Sequence, residues 1–293
     1  MKKTLSVSGV IFDSLNTILM IVVFVVMVYP FVYILNYSFS TPALIGASPL
    51  LVPAGFSLEA YRLLLSDASI YRALFISVSR SIIGPLSMIV VCSMAGYVLS
   101  KKHLVFGKFF RWTIFFTMYF SAGLIPIYLL ISNLGLLNTY WVYILPMMVS
   151  AFNIVLIRTY IESLPSSVEE AALIDGANEF QAFWHVIFPV CLPVNAAVIL
   201  FSAIAHWNDF ISTQLFNVMS PHLYTIQYVL FNAMAIQLST SLEEAMRLAG
   251  AGRVTAMTLN MAITVITVVP VMLVYPFLAK YFVSGLMVGS VKA

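Results

Sequence analysis

Charged residues along the chain fall in clusters, and long uncharged apolar runs separate them. No Asp, Glu, Lys or Arg lies between Asp13 and Glu59, between Arg80 and Lys101, between Arg111 and Arg158, or between Arg253 and Lys280. The runs are continuously apolar rather than alternating. A helix satisfies its own backbone polar groups in lipid, so each run predicts a membrane helix and not a barrel strand. The expected spans are Leu15–Leu35, Ser79–Leu99, Trp112–Ile131, Tyr140–Ile157, Val194–Thr213, and a sixth in the gap after Arg253. The polar, glycine-containing stretch Ser132–Thr139 divides the third gap in two. The stretch Ile211–Leu242 carries no charge and forms part of a long outer segment without a residue-level assignment. Pro30, Pro85, Pro126, Pro146, Pro270 and Pro276 fall within or near spans, which suits a bundle that flexes.

Composition supports a membrane solution. Of the 293 residues 62% are hydrophobic and 9% charged, and mean hydropathy is +1.02. A soluble fold cannot hide that much apolar surface, which excludes soluble enzymes and disordered binders. The fold class expected is an all-α polytopic membrane protein, residues 1–293 forming one transmembrane domain of six helices. The apolar run after Met1-Lys2-Lys3 is about 20 residues, long enough to span, so it reads as a span and not as a cleaved signal. A net charge of +3 is too small to suggest nucleic acid. Cys92 and Cys191 lie far apart in apolar company, with no disulfide framework and no metal-ligand spacing, and read as small buried hydrophobes.

Six spans put both termini on one side. With the termini cytoplasmic, the inside holds nine Lys and Arg and the outside five, and the short loop Ser100–Arg111 holds four of the nine. The positive-inside rule favours that orientation. The same count assigns Arg62, Arg72 and Arg80 to the outside.

One loop does not fit a passive bundle. Residues 159–193, between spans 4 and 5, hold five of the eleven acidic residues and no Lys or Arg. Ser166-x-x-Glu169 predicts a capping box, followed by a short helix with Val168, Ala171 and Ala172 on one face. Asp175-Gly176 ends it, with glycine supplying a left-handed turn. Asn178-x-x-Gln181 predicts a second cap, and the next helix places Phe180, Phe183, Trp184 and Ile187 on one face. Pro189 and Pro193 bound the re-entry. An interfacial helix resting on lipid is normally rich in Lys and Arg. A net-negative helix is repelled by anionic headgroups and suits a protein partner instead.

The residues of this loop also carry a resemblance. Glu170-Ala171-Ala172-x-x-x-Gly176, nine residues, then Val186-x-Phe188-Pro189 resembles the EAA loop of ABC-importer permeases. Val186 and Phe188 stand where that pattern has Ile and Leu. Gly123-Leu124-Ile125-Pro126, Ala205-His206-Trp207-Asn208 and the tail Val274–Phe282 resemble the oligosaccharide and polysaccharide branch of these permeases, maltose-type and alginate-type systems included. The resemblance covers essentially the whole chain. It implies a type I importer permease with a five-helix core, in a bacterial cytoplasmic (inner) membrane. It implies pairing with a second, related permease, a dimeric ATPase docked beneath the pair, and an extracytoplasmic binding protein that delivers the sugar. Glu170, Ala171, Ala172, Asp175, Gly176 and Pro189 are then the coupling residues.

ATP hydrolysis needs a phosphate-cradling G-x-x-x-x-G-K-[ST] loop. The Gly107-Lys108 dipeptide is followed by Phe109 and lacks that pattern, so no cofactor is expected here, and ATP and Mg belong to the partner ATPase. In span 5, His206, Trp207, Asn208 and Asp209 are candidates for the substrate pathway. Intramembrane ionisable groups mark function by default, and an aromatic face with polar neighbours suits a sugar. Interhelical hydrogen bonding is the plainer alternative for Asn208 and Asp209. Tyr119, Tyr128 and Asn153 are weaker candidates. Two other functions stay open at this point. An amino-acid or peptide permease would share the loop, and an intramembrane enzyme would need further ionisable residues at the same depth.

Overall fold

The computed structural model describes residues 7–46, 51–239 and 254–290, with side chains for 11–46, 51–235 and 254–274. The described residues form helices joined by short turns, with one isolated antiparallel bridge between Ser40 and Phe56. The chain divides into two compact units, Met1–Asp67 with Asn232–Val268 and Ala68–Phe231 with Val269–Ala293.

In the first unit, α1 (Val7–Ser38) is apolar all round and its residues Ile11–Met27 are exposed or half-exposed, as lipid-facing side chains are. Pro30 lies inside it. α2 (Glu59–Ser66) packs back on the turn after α1 through Phe39, whose ring stacks 4.8 Å from Tyr61. Ser38 Oγ and Tyr61 Oη are 2.7 Å apart.

The second unit is built on α3 (Ala68–Ser100), which packs against α6 (Ala151–Glu162) and α10 (Leu192–Asn208). Met88, Ile89, Cys92, Ile154, Ile157, Val194 and Val198 fill the seam. At Gly96 the crossing is backbone on backbone. A Cβ there would lie 3.2 Å from Arg158 N and 3.3 Å from Ile154 O. Small residues let membrane helices approach this closely, where packing replaces the hydrophobic driving force. Ser93 Oγ donates to Asn195 Oδ1 at 3.2 Å across the α3–α10 seam.

Three of the six expected spans are single long helices: α1, α3 and α13 (Ala256–Ser290). The other three are bent. α4 (Gly107–Tyr119) and α5 (Leu124–Asn133) meet at 115°, so Trp112–Ile131 is not one straight helix. Gly123 at the break has φ 87° and ψ 172°, a conformation that only glycine adopts freely. Tyr140–Met147, which carries Pro146, is a pair of 3-10 turns and meets α6 at 45°. Residues Glu179–Val190 meet α10 at 77°. With each bent pair counted as one crossing, the described residues supply up to six. α3 also starts at Ala68, eleven residues before the expected Ser79, which takes Arg80 from the outside loop into the helix. The uncharged stretch after span 5 is not loop throughout. α11 (Ile211–Phe216) and α12 (Ile226–Ser239) occupy it, and Ile226, Tyr228 and Leu230 are buried.

Candidate functional site

The loop after α6 folds into two short helices with a sharp corner. α7 (Ser167–Ile174) begins without the expected capping box. Ser166 is already helical, at φ −60° and ψ −28°, and its carbonyl accepts the Glu169 and Glu170 N–H groups. A helical Ser166 cannot turn its hydroxyl back onto those donors, so Glu169 is free for another partner. At the other end Gly176 N–H donates to Leu173 O at 3.1 Å and Ala177 N–H to Ala172 O at 3.0 Å. This is a Schellman ending, and Gly176 has the left-handed φ of +88° that it demands.

The second cap forms as the sequence predicts. Gln181 N–H donates to Asn178 Oδ1 at 2.9 Å, and Asn178 N–H to Gln181 Oε1 at 3.0 Å. α8 (Glu179–Ala182) then widens into a π-turn over Phe183–Ile187 before α9 (Phe188–Val190). Pro189 lacks an N–H and crowds the carbonyl four residues back, and the wider turn removes that clash. The widening also splits the expected aromatic face. Phe183 and Ile187 are buried against Tyr97 and the α3–α10 core, whereas Phe180 and Trp184 remain exposed. Glu170, Ala171, Asp175 and Gly176 are exposed, Ala172 is half-buried, and Ile174 is 85% exposed.

Both loop helices are pinned to the end of α3. Lys101 Nζ pairs with Glu169 Oε1 on α7 and, at 2.6 Å, with Glu179 Oε2 on α8. Tyr97 Oη lies 2.7 Å from each of the same two carboxylate oxygens, and the Lys101 ammonium sits 4.2 Å from the Tyr97 ring centroid. The hydrogen bond from Lys101, then that from Tyr97, holds the Glu179 carboxyl below the usual carboxylate range, against a smaller opposing effect of burial.

The four span-5 candidates part company. His206 and Trp207 are buried, Asn208 is exposed and ends α10, and Asp209 is half-buried in the break before α11. Asp209 Oδ1 accepts the Ser212 N–H at 3.1 Å, which caps α11. Its Oδ2 lies 3.5 Å from Arg80 Nη1, and its carbonyl accepts from Arg80 Nη2. The Arg80 side chain is 1% exposed, with its guanidinium carbon 5.0 Å from the Tyr143 ring centroid. Tyr143 in turn donates to Leu223 O at 2.8 Å and lies 2.9 Å from Thr213 Oγ1.

His206 Nδ1 is 2.8 Å from Ser202 O. A carbonyl only accepts, so Nδ1 carries the proton in that bond. Nε2 has no hydrogen-bond partner among the described residues and faces Gly84, where a Cβ would lie 2.2 Å away. Trp207 lines an apolar groove of ≈ 230 Å³ with Val78, Ser81, Ile82 and Leu200. A second cavity of ≈ 420 Å³ is lined by Met88, Ser150, Asn153, Phe201, Ser202 and His206, among others. Of the weaker candidates, Asn153 lies in this cavity, Tyr119 is exposed, and Tyr128 stacks 6.1 Å from Phe216. Arg80 and Tyr143 were not singled out by the sequence. Their one linear signal is a lone Arg at the edge of an apolar run, matched by a lone Asp in another. Among the described residues no three His, Cys, Asp or Glu side chains group to hold a metal.

A bent-helix bundle that presents a two-helix corner narrows the choice of family, and comparison with known proteins decides it. The profile of the family described as "Binding-protein-dependent transport system inner membrane component" matches residues 6–288. The chain belongs to that family. This permease is 34% identical over 284 residues to the polygalacturonan/rhamnogalacturonan transport system permease protein YtcP of Bacillus subtilis (strain 168), across 96% of this chain and 98% of that one. It is 27% identical over 290 residues to the diacetylchitobiose uptake system permease protein NgcG of Streptomyces coelicolor, across 96% and 89%. A chain in a crystal structure of a bacterial ABC transporter involved in the import of the acidic polysaccharide alginate superposes with a TM-score of 0.86 at 31% identity. The match covers 94% of this permease and 98% of that chain. The expected type I importer fold is therefore the one observed. The protein is a membrane transport subunit and not an enzyme, with ATP hydrolysis in a separate subunit. Neither an amino-acid or peptide permease nor an intramembrane enzyme finds support among these relatives.

Proposed function

We propose that this permease forms, with a second related permease, the inner-membrane pathway for an oligo- or polysaccharide. An extracytoplasmic binding protein delivers the sugar, and a dimeric ATPase, which holds the ATP and Mg, docks on residues 159–193. Both termini are cytoplasmic in this reading, which puts the loop on the side where ATP is. The observation that carries it is the presentation of the loop. Glu170, Ala171, Asp175, Gly176 and Ile174 are exposed at a corner whose shape is set by the Gly176 turn and the Asn178 cap. A small-residue face beside an acidic pair, with apolar Ile174, Phe180 and Trp184 exposed nearby, fits a protein cleft better than lipid. Pro189 contributes by setting the π-turn that fixes how the loop meets α10.

For the sugar path, the reading takes the outer end of α10 and the cavity beside it. Ser202 and Asn153 bring polar side chains to the lining of that cavity, and His206 forms part of its wall. Asn208 supplies an exposed amide, and Trp207 and Asp209 hold the wall, Asp209 through Arg80. The sugars named for the relatives support the substrate class. Reconstitution with the partner permease, ATPase and binding protein tests the reading. Oligogalacturonides, alginate oligomers and an amino-acid mixture serve as probes. Uptake of a sugar probe driven by ATP is the expected result. ATP-driven uptake of amino acids alone would overturn it.

A further inference from the structure

The loop is not tethered to the bundle by chain alone. Four side chains from three elements converge where α3 ends: Tyr97 on α3, Lys101 just after it, Glu169 on α7 and Glu179 on α8. Each loop helix contributes one carboxylate, and both carboxylates share the same ammonium and the same phenol. Tyr97 is 5% exposed, and its ring lies 5.3 Å from that of Phe183 on the loop's second helix. The phenol position is therefore fixed by packing, and the two acids are drawn to a fixed point.

The chain on either side of α7 is short: Ser163–Pro165 before it and the Gly176 turn after it. Without a cross-link, a push on α7 would be absorbed by rotation at those points. With Glu169 and Glu179 both held, α7 and α8 move as one piece with the end of α3. α3 in turn carries Arg80, seventeen residues from Tyr97, or about 25 Å along a helix. There Arg80 grips Asp209 at the outer break of α10. One continuous helix, with Pro85 inside it, thus joins the loop to the proposed path.

We propose that the Tyr97–Lys101–Glu169–Glu179 cluster is a clamp that makes α3 follow the loop, so that Lys101 positions the coupling element without itself touching the ATPase. The clamp rests on the reading of residues 159–193 as the ATPase dock. It adds two acids and two α3-end residues that lie outside the EAA pattern. Partly exposed ion pairs at a membrane surface each contribute little to stability, and on the proposed reading their role here is to set geometry, so their loss changes transmission before it changes folding.

The experiment uses the full complex in lipid nanodiscs, with the native cysteines replaced. Spin labels on the exposed positions Tyr71→Cys and Asn133→Cys report the outer part of α3. ATPase retention is measured on the same samples. In the complex without further change, ATP shifts the distance distribution. Lys101→Met should keep the ATPase yet reduce the ATP-driven population shift about tenfold, within the usual range of about 5–150-fold for coupling between sites. Lys101→Arg should preserve the shift. The swap Lys101→Glu with Glu179→Lys, which leaves two acids and one base, should restore it. An undiminished shift in Lys101→Met, loss of the ATPase from that variant, failure of the swap, or no ATP-driven shift without it overturns the clamp. Failure of the docking reading has a different signature, because there Ala171→Trp would keep the ATPase.

Discussion

Arg80 and Asp209, 129 residues apart in sequence, form an ion pair in which the arginine is 1% exposed. α10 stops at Asn208, and the pair fixes the break that follows. Asp209 does three things there. It neutralises a buried cation, offers its carbonyl to the same guanidinium, and caps α11 through Ser212 N–H. Removing one member of a buried pair leaves the other charge unpaired, at a cost of about 3–5 kcal/mol. Asp209→Ala and Arg80→Ala should each lower the unfolding temperature of the purified permease clearly. The double variant Arg80→Met/Asp209→Asn should recover much of the loss. Equal stability of Asp209→Ala and the parent would show that the pair does not hold the break.

Gly84 is a second close approach. His206 is buried and tied by Nδ1 to Ser202 O, so it cannot retreat easily from a new methyl. Gly84→Ala should cost about 1–3 kcal/mol by overpacking. His206→Ala in the Gly84→Ala background should relieve it. A thermal-unfolding double-mutant cycle measures the coupling, and additive effects would contradict the geometry.

The acid response of the clamp has a defined sign. Glu179 has a folded-state pKa below its ordinary value, so its pairing contributes fully above the ordinary carboxylate range. The contribution is lost as pH falls through the lower folded value. Glu169, Lys101 and Tyr97 are the groups that face it. Infrared titration of wild type against Glu179→Gln should show the Glu179 carboxylate protonating below the ordinary range. Protonation at or above that range would contradict the arrangement.

Topology is testable by labelling. Lys102→Cys and Asn133→Cys sit at opposite ends of the bent α4–α5 segment, and both positions are exposed. In a background without Cys92 and Cys191, an impermeant thiol reagent applied from outside should label Asn133→Cys and spare Lys102→Cys. Labelling of both from one side would exclude a single crossing between them.

The fold was legible where it depends on local chemistry. Charge-free runs located the spans, and Gly176 and the Asn178-x-x-Gln181 cap were readable because turn and cap rules act within a few residues. The bends at Gly123 and before Ala151 were not. A glycine or proline in an apolar run is compatible with a straight helix, and neighbouring helices decide. Ser166 lost its predicted role for a related reason, since its own backbone is already helical and Glu169 has a partner in Lys101. Arg80 read as an outside charge because its partner lies far along the chain. The EAA residues were legible through resemblance, whereas the residues that pin the loop to α3 emerge only from the packing.

Docking of the ATPase on residues 159–193 is the central claim, and Gly176 tests it most directly. A Cβ at Gly176 would meet nothing within 4 Å, but its φ of +88° strains any L side chain, by about 1–2 kcal/mol or more for a β-branched one. Gly176→Val should therefore leave the permease pair folded in the membrane and misdirect the Ala171 face. The decisive measurement is ATPase retention and binding-protein-stimulated ATP hydrolysis in the reconstituted complex. The account predicts that Gly176→Val, with an unchanged amount of permease in the membrane, loses the ATPase or loses the stimulation. Normal retention together with normal stimulated hydrolysis would contradict it.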